Sequence, residues 1–471
     1  MSTQPDPRQI QTGSEIPSEG YCDQPYVVIT DDGHWLCTMT TGHGEEGEPG
    51  QHIITFRSGD QGKTWKDKSD VEPNKGPEAS YSVLFKAKSG RIYCFYNYNT
   101  ERVKEVKRED EGVFKRVDSL GDYVFKYSDD HGKTWSAKRH VVPVREFECD
   151  RNNVYGGKLR FFWNVGRPIV TKKNESILVL HKVGAMGKGF FAQSEGAFLK
   201  SPNLFTENDP EKITFETLPD GDIGLRTPKG GGRISEEQTI VELEGGSLFS
   251  IYRTIDGYPA TSYSRDGGHH WSPSAYANYT PEGKKIKNPR AANFVWKCKN
   301  GKYLYWYHNH GGEKFIRNQP EWRPYAERNP AWLSAGVEKN GFIHWSQPEI
   351  LLYDNDDVFT RMSYPDLVED GGKYFVTETQ KTIARTHEVD TSLIEGMWAQ
   401  FESKASAVTD EVILSLDHVG SPRSLDCPHI PRFQHSPHSW HPLPVGTGFA
   451  IEMKVTFDDL AAGQNLLDNR D

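Results

Sequence analysis

Ser58-Gly59-Asp60-Gln61-Gly62-Lys63-Thr64-Trp65 is a turn written in side chains. Ser and Asp oxygens can accept from nearby backbone N–H groups, Gly supplies a positive φ, and Trp packs beneath the strand that follows. Nearly the same phrase returns as Ser128-Asp129-Asp130-His131-Gly132-Lys133-Thr134-Trp135 and as Ser264-Arg265-Asp266-Gly267-Gly268-His269-His270-Trp271, with His270 in the Thr place. Asp60 and Asp130 stand 70 residues apart and Asp130 and Asp266 stand 136 apart, close to two further steps, so one unit without the phrase lies between the second and third copies. A repeat of this length built from short strands predicts an all-β chain, a β-propeller of four-stranded blades.

Working outward, short strands separated by turn residues can be grouped into units. The first reads 24–29, 35–39 and 52–56 before its box; the second 81–85, 92–98 and 123–127; the third 167–171, 177–182 and 197–200, with only Ser201-Pro202-Asn203 where a box belongs. The fourth reads 238–243, 248–253 and 260–264, the fifth 293–297, 303–308 and 332–337, and the sixth 364–368, 374–379 and 383–386. Six blades are read directly; a seventh is expected from 412–416 together with part of the N-terminal segment, closing the ring and removing sheet edges. The expected organisation is an extension at 1–20, the propeller at 21–425, and a tail at 426–471 that is either a ring-closing strand or the start of a truncated lectin-like sandwich.

Composition limits the function. The chain has 471 residues, 12% aromatic, with 44 Gly and 28 Pro, and a mean hydropathy of −0.71, a profile of many strands and polar turns in one large domain. No run approaches the roughly 20 apolar residues that cross a bilayer, and residues 1–20 lack an apolar signal core. The expectation is a cytoplasmic monomer without membrane contact, or a secreted or periplasmic one if a leader has been removed. A net charge of −10 with acids and bases interspersed argues against a nucleic-acid surface. Cys22, Cys37, Cys94, Cys149, Cys298 and Cys427 form no CxxC pair and read as buried thiols. His429, His435, His438 and His441 near Cys427 are spaced irregularly in a Pro-rich stretch, which suits a linker better than zinc. No cofactor is called for, and a structural calcium or zinc is left open.

In a propeller the starts of first strands and the ends of second strands share one face, opposite the boxes. That face should carry His43, His52, Tyr81, Tyr96, Tyr98, Tyr155, Arg160 and Arg167, then His181, Lys182, Glu236, Glu237, Arg253 and Arg290, then His308, His310, Arg361, Tyr364, Glu378 and Lys381. Such a set suits β-elimination from a uronate, where donors neutralise the carboxylate, a base takes the C5 proton and an acid serves the leaving oxygen. Glycoside hydrolysis ordinarily needs two carboxyl groups instead, for which Glu237 and Glu378 are available. Each residue also has a plainer reading: one of Tyr96 and Tyr98 packs between blades, Arg167 sits in a Gly-Arg-Pro turn, and only one of His308 and His310 can face the funnel.

Boxes at blade spacing resemble the sialidase or BNR-repeat superfamily. Sialidases carry an Arg-Ile-Pro, an arginine triad and a Tyr–Glu pair; here Gly166-Arg167-Pro168 only echoes the first. Over residues 20–400 the chain resembles the seven-bladed propellers that attack rhamnose–uronate linkages, the ulvan lyases and the rhamnosidase or rhamnose–glucuronate lyase relatives. The likeness lies in Cys22-Asp23-Gln24-Pro25, Gly76-Pro77-Glu78-Ala79-Ser80, Phe162-Trp163-Asn164-Val165-Gly166-Arg167-Pro168, Ser363-Tyr364-Pro365-Asp366-Leu367 and Glu378-Thr379-Gln380-Lys381. That resemblance implies Arg167 on a uronate and Tyr155 in proton transfer, with Tyr81 and Tyr98 where the lyases have His, His52 nearby, and Gln24 in place of the rhamnosidase His. His43, Arg160, His181, Arg253, His308, Glu378 and Lys381 are then expected to bind the sugar. The expected activity is a polysaccharide lyase cleaving a rhamnose–glucuronate type linkage in an acidic saccharide; a hydrolase of the rhamnosidase or exo-sialidase kind, and a non-catalytic sugar-binding propeller, are the alternatives.

Overall fold

A computed structural model describes residues 6–187, 191–311, 328–357 and 360–402, with the backbone of 434–436 and 439–441. Six antiparallel sheets of four or five strands are the blades of a propeller. Blade 1 runs Tyr21–Ile29, Trp35–Gly42, His52–Ser58 and Lys66–Glu72, and blade 2 runs Ala79–Lys86, Ile92–Tyr98, Asp122–Ser128 and His140–Val141. In blade 3 the innermost strand is interrupted, as Phe162–Trp163 and Ile169–Val170, before Ser176–Met186, Phe191–Ser201 and Glu216–Leu218. Blade 4 comprises Glu236–Glu242, Leu248–Arg253, Ala260–Ser264 and Ala275–Tyr276; blade 5 comprises Phe294–Lys297, Tyr303–Tyr307 and Ala331–Lys339, edged by Phe342–Trp345 and Glu349–Leu352.

Blade 6 closes the ring by borrowing from the other end of the chain. Ser363–Asp370, Lys373–Thr379 and Ala384–Val389 are completed by Ser14–Ile16, which pairs antiparallel with Thr386, Arg385 and Ala384. Gly13 makes this possible, because a Cβ there would meet the His387 ring at 2.3 Å. Blades 1 and 6 touch directly: Val27 N donates to Asp366 Oδ2 at 2.8 Å, and Trp35 meets Phe375 edge-on with centroids 5.0 Å apart. The six blades read from sequence are therefore present, and the N-terminal residues expected in a seventh blade complete the sixth. The strand expected at 412–416 lies outside the described residues, as do the side chains of the His429–His441 cluster.

Strands facing two neighbouring blades are buried along their length rather than alternately, as in Ile92–Tyr98. Aromatic packing fills the wedge between blades 2 and 3, where Tyr93, Phe95, Tyr123 and Phe125 stack or meet edge-on. Cys22, Cys37, Cys94, Cys149 and Cys298 are free and buried.

The boxes are hairpin turns as expected. Asp60 Oδ1 accepts from Ser58 Oγ at 2.8 Å and Thr64 N at 2.9 Å, and Asp60 Oδ2 from Thr64 Oγ1 at 2.7 Å. The positive φ falls on Gln61 (59°) as well as Gly62 (78°). Asp130 repeats these bonds, and Asp266 takes its last one from His270 Nδ1 at 2.7 Å. The unmarked unit has the same chemistry stretched by an insertion. Ser201 Oγ accepts from Leu204 N at 2.9 Å, and Asn203 Oδ1 accepts from Thr214 N at 3.1 Å, eleven residues on instead of four.

Candidate functional site

Four inner strands carry the same defect near their starts. Register slips between Asp23 and Tyr26, Ser80 and Val83, Glu236 and Thr239, and Ser363 and Asp366 are β-bulges. Each places a non-glycine residue at positive φ: Gln24 at 54°, Tyr81 at 60°, Glu237 at 55° and Tyr364 at 45°. This backbone is disfavoured for such side chains, and strain of this kind gathers at binding and catalytic sites. The bulges re-aim side chains across the axis. Tyr364 of blade 6 donates from Oη to Glu237 Oε1 of blade 4 at 2.7 Å, although these blades are not neighbours in the ring.

A buried ionic network surrounds that pair. Arg253 lies between two carboxylates, 2.9 Å from Glu236 Oε2 and 3.0 Å from Glu237 Oε2, and Arg290 adds a second cation to Glu236 at 2.6 Å. The two adjacent glutamates are thereby pushed apart. Burial raises both, but Arg290 and Arg253 together hold Glu236 below its ordinary value, while Glu237, with Arg253 opposing, stays above. Burial also lifts the Tyr364 phenol well above its usual range, and the Glu237 charge adds to this. Arg328, buried and donating to Ser363 Oγ at 2.5 Å, is brought down to about 10 by burial and by the charge of Arg361.

On the other side of Tyr364, Lys381 Nζ sits 4.3 Å from the ring centroid and pairs with Asp23 at 2.8 Å and Glu46 at 3.1 Å. Burial raises Asp23 despite Lys381. For Glu46 burial works upward too, yet Arg116, Lys381 and Arg361 hold it well below the carboxylate range. Arg116 continues the chain to blade 2, 2.8 Å from Asp118 and 2.5 Å from the Tyr81 hydroxyl, which itself donates to Asp118 at 2.7 Å.

The structure brings together Tyr81, Arg253 and Lys381 of the expected residues, and sets others apart. Tyr155, in the connection leading into blade 3, accepts at Oη from Lys107 N at 2.8 Å and lies tilted against Phe161 with ring centroids 5.9 Å apart. Arg167 lines the axis, but at the box end, reaching across it to Asp366 Oδ1 at 3.1 Å and Leu367 O at 2.7 Å. It opens onto a cavity of about 600 Å³ ringed by the far ends of the inner strands, including Ile29, Lys86, Glu242, Lys297 and Glu369. This is the end of the axis opposite to the face expected for it, because Arg167 sits within the break of the blade 3 inner strand, just before Ile169–Val170. Tyr98 is half-buried under Arg139, 4.1 Å from its ring. His52 is buried against Glu19 at 3.3 Å, His43 is exposed, and Arg160 donates to Val144 O at 2.8 Å. His181 and His308 are fully buried and held neutral, chiefly by burial and then by Arg253 and Arg328 respectively. Glu378 is buried near His387, 3.4 Å away. Among the described residues no three His, Cys, Asp or Glu side chains group as a metal site requires.

Two features of the site were missed. Tyr364 and Glu237 were expected on this face but not as a pair, although the alignment of Gln24, Tyr81, Glu237 and Tyr364 at one position of their strands was a signal. Arg116 and Asp118 stand in a long blade 2 connection that no local pattern marks.

The fold and site thus define a β-propeller whose axial mouth holds a tyrosine–glutamate pair among arginines. The chain matches the BNR repeat-like domain over residues 83–376 and belongs to that family, within the sialidase/BNR superfamily. Similar solved structures include a protein of unknown function from Dyadobacter fermentans, 13% identical with TM-score 0.55 over 80% of this chain and 97% of that one. The NanB sialidase of Streptococcus pneumoniae is 14% identical with TM-score 0.54 over 83% and 71%. A Trypanosoma rangeli sialidase mutant displaying trans-sialidase activity is 13% identical with TM-score 0.55 over 83% and 59%. Among curated proteins, none matches this chain.

Proposed function

We propose that this chain is a glycoside hydrolase acting on an acidic sugar, with Tyr364 as nucleophile and Glu237 as the base that takes its proton. The observation that carries the reading is the 2.7 Å bond from the Tyr364 hydroxyl to Glu237 across the axis, made by two residues held in strained bulges. A tyrosine nucleophile is the sialidase exception to the two-carboxylate rule. Its logic is electrostatic: a neutral phenol approaches a reacting centre beside a substrate carboxylate without the repulsion a carboxylate would meet. Arg253, Arg328 and Arg361 on the same side supply the positive field for that carboxylate. Asp23, raised by burial, is our candidate for the proton the leaving oxygen needs. The sialidases of similar fold support the reading as well.

One observation favours a second reading, elimination from a uronate such as a rhamnose–glucuronate unit. Tyr81, held by Arg116 and Asp118, is a phenol beside a cation, an arrangement suited to taking a proton next to a carboxylate. The products separate the two. Fluorogenic sialosides and glucuronides, and rhamnose–glucuronate polymers, should yield free sugar without the ultraviolet absorbance of an unsaturated uronate. Tyr364→Phe and Glu237→Gln should each lower kcat by about 100-fold or more in proteins that still fold. New ultraviolet absorbance would favour elimination, and affinity without turnover would sink both readings.

A further inference from the structure

Lys381 is held with unusual care for an ammonium on a turn. It stands between the second and third strands of blade 6 at φ 75°. Its N–H donates to Thr379 Oγ1 at 2.9 Å, and its carbonyl accepts from Cys22 N of blade 1 at 2.9 Å. Only about a tenth of its side chain is exposed, and its Nζ is fixed by Asp23 and Glu46 over the face of Tyr364.

We propose, building on the assignment of Tyr364 as nucleophile, that Lys381 is a positioning residue that sets how readily Tyr364 gives up its proton. An ammonium over an aromatic face is attracted to the ring, and the attraction grows as the phenol becomes a phenolate. Lys381 also offsets two further carboxylates that act on that ring, Asp23 and Glu46, which would otherwise oppose the developing charge. The remaining groups facing Tyr364 are Glu237 and Arg253 from blade 4, Tyr81 from blade 2, Tyr26 from blade 1, and Arg328 from the connection before the third strand of blade 5, beside Arg361. Lys381 lies over the ring face of Tyr364. Because the proton moves from Tyr364 to Glu237, losing the ammonium raises the cost of that transfer and the proton affinity of Glu237 together.

The pH dependence of the active enzyme tests this. Lys381→Met keeps the stem and removes the charge; kcat should fall about tenfold or more with KM changed less than about twofold. The acid limb of kcat/KM should move to higher pH by about half a unit or more. Lys381→Arg should restore most of the rate, and adding Glu46→Gln to Lys381→Met should recover part of it, since Glu46 is the other carboxylate that Lys381 pairs with. A merely structural pin between blades 6 and 1 would cost stability and leave the limb where it was. If Lys381→Met does not fold, Glu46→Gln alone must move the acid limb downward, since it removes a negative charge that Lys381 now offsets. An unmoved limb in either folded variant, with Tyr364→Phe inactive, overturns the role of Lys381 and leaves the nucleophile standing. Full activity in Tyr364→Phe removes both.

Discussion

The two ends of the propeller axis are built by the same inner strands and held by opposite kinds of contact. At the box end each turn closes on itself, with Ser58, Asp60 and Thr64 bonded within four residues of one another. At the other end the bonds join residues 127 apart, as in Tyr364 and Glu237, or 358 apart, as in Lys381 and Asp23. Local, repeated bonds stabilise blades one at a time. Convergent bonds need the blades they join in place before they form, and the four bulged residues at positive φ sit there. Rigidity and chemistry have been assigned to opposite faces.

Breaking one bond at each end should expose this contrast. Arg253→Met is expected to have the largest effect, because it leaves Glu237 buried without its cation and Glu236 with only Arg290. Removing one partner of a buried pair costs about 3–5 kcal/mol, so the urea midpoint should drop clearly; an unchanged midpoint would mean the network contributes nothing to folding. Arg167→Met at the box end should cost less, about 1–2 kcal/mol, since Asp366 keeps the Val27 N–H and the side chain is 41% exposed. It should leave sugar affinity intact. Loss of binding with unchanged stability would return Arg167 to the role the sequence suggested.

That same division explains what could be read in advance. The boxes were legible because a turn is decided within eight residues, and their spacing carried the blade count. Blade 3 escaped the pattern since seven additional residues separate Asn203 from the Thr214 N–H that completes its turn. The site was only partly legible. Alternation along each strand told which residues start on the mouth side, so Tyr364, Glu237, Arg253 and Lys381 were expected there. Which of them touch depends on bulges that shift register by a residue and on crossings between non-adjacent blades, neither of which leaves a local trace. Closure by an N-terminal segment was foreseen, but not that Ser14–Ile16 would join blade 6, since those partners lie at the other end of the chain.

A smaller effect concerns acid. Asp60 and Asp130 are held below the ordinary carboxylate value: their slight burial works upward, but bonds from Thr64 and Thr134 outweigh it. A carboxyl whose folded value is depressed contributes stability that is complete above its unfolded value, about 4, and is lost as pH falls toward the folded one. Asp60→Asn and Asp130→Asn chains should therefore be slightly less stable than wild type at pH 6 and should lose less stability between about pH 5 and pH 2. Parallel pH profiles for all three proteins would show that the boxes do not supply this acid sensitivity.

The smallest effect separates one box from the other two. Where blades 1 and 2 use Thr, blade 4 uses His270, whose Nδ1 meets Asp266 Oδ2 at 2.7 Å on the exposed surface. That hydrogen bond and the charge of Asp266 raise the imidazole, while Asp266 is pulled down to about 2, first by the His270 backbone N–H. A raised histidine stabilises below its unfolded value and loses that contribution as pH climbs through the folded one. This turn alone of the three should thus weaken on the alkaline side, above about pH 6.5. Observed by NMR, the His270 ring should titrate above that ordinary value, return toward it in Asp266→Asn, and leave the Asp60 and Asp130 turns unaffected. In His270→Thr the blade 4 turn should lose its alkaline sensitivity and match the other two; a His270 midpoint at or below the ordinary value in the wild-type chain would show that this contact does not hold a proton.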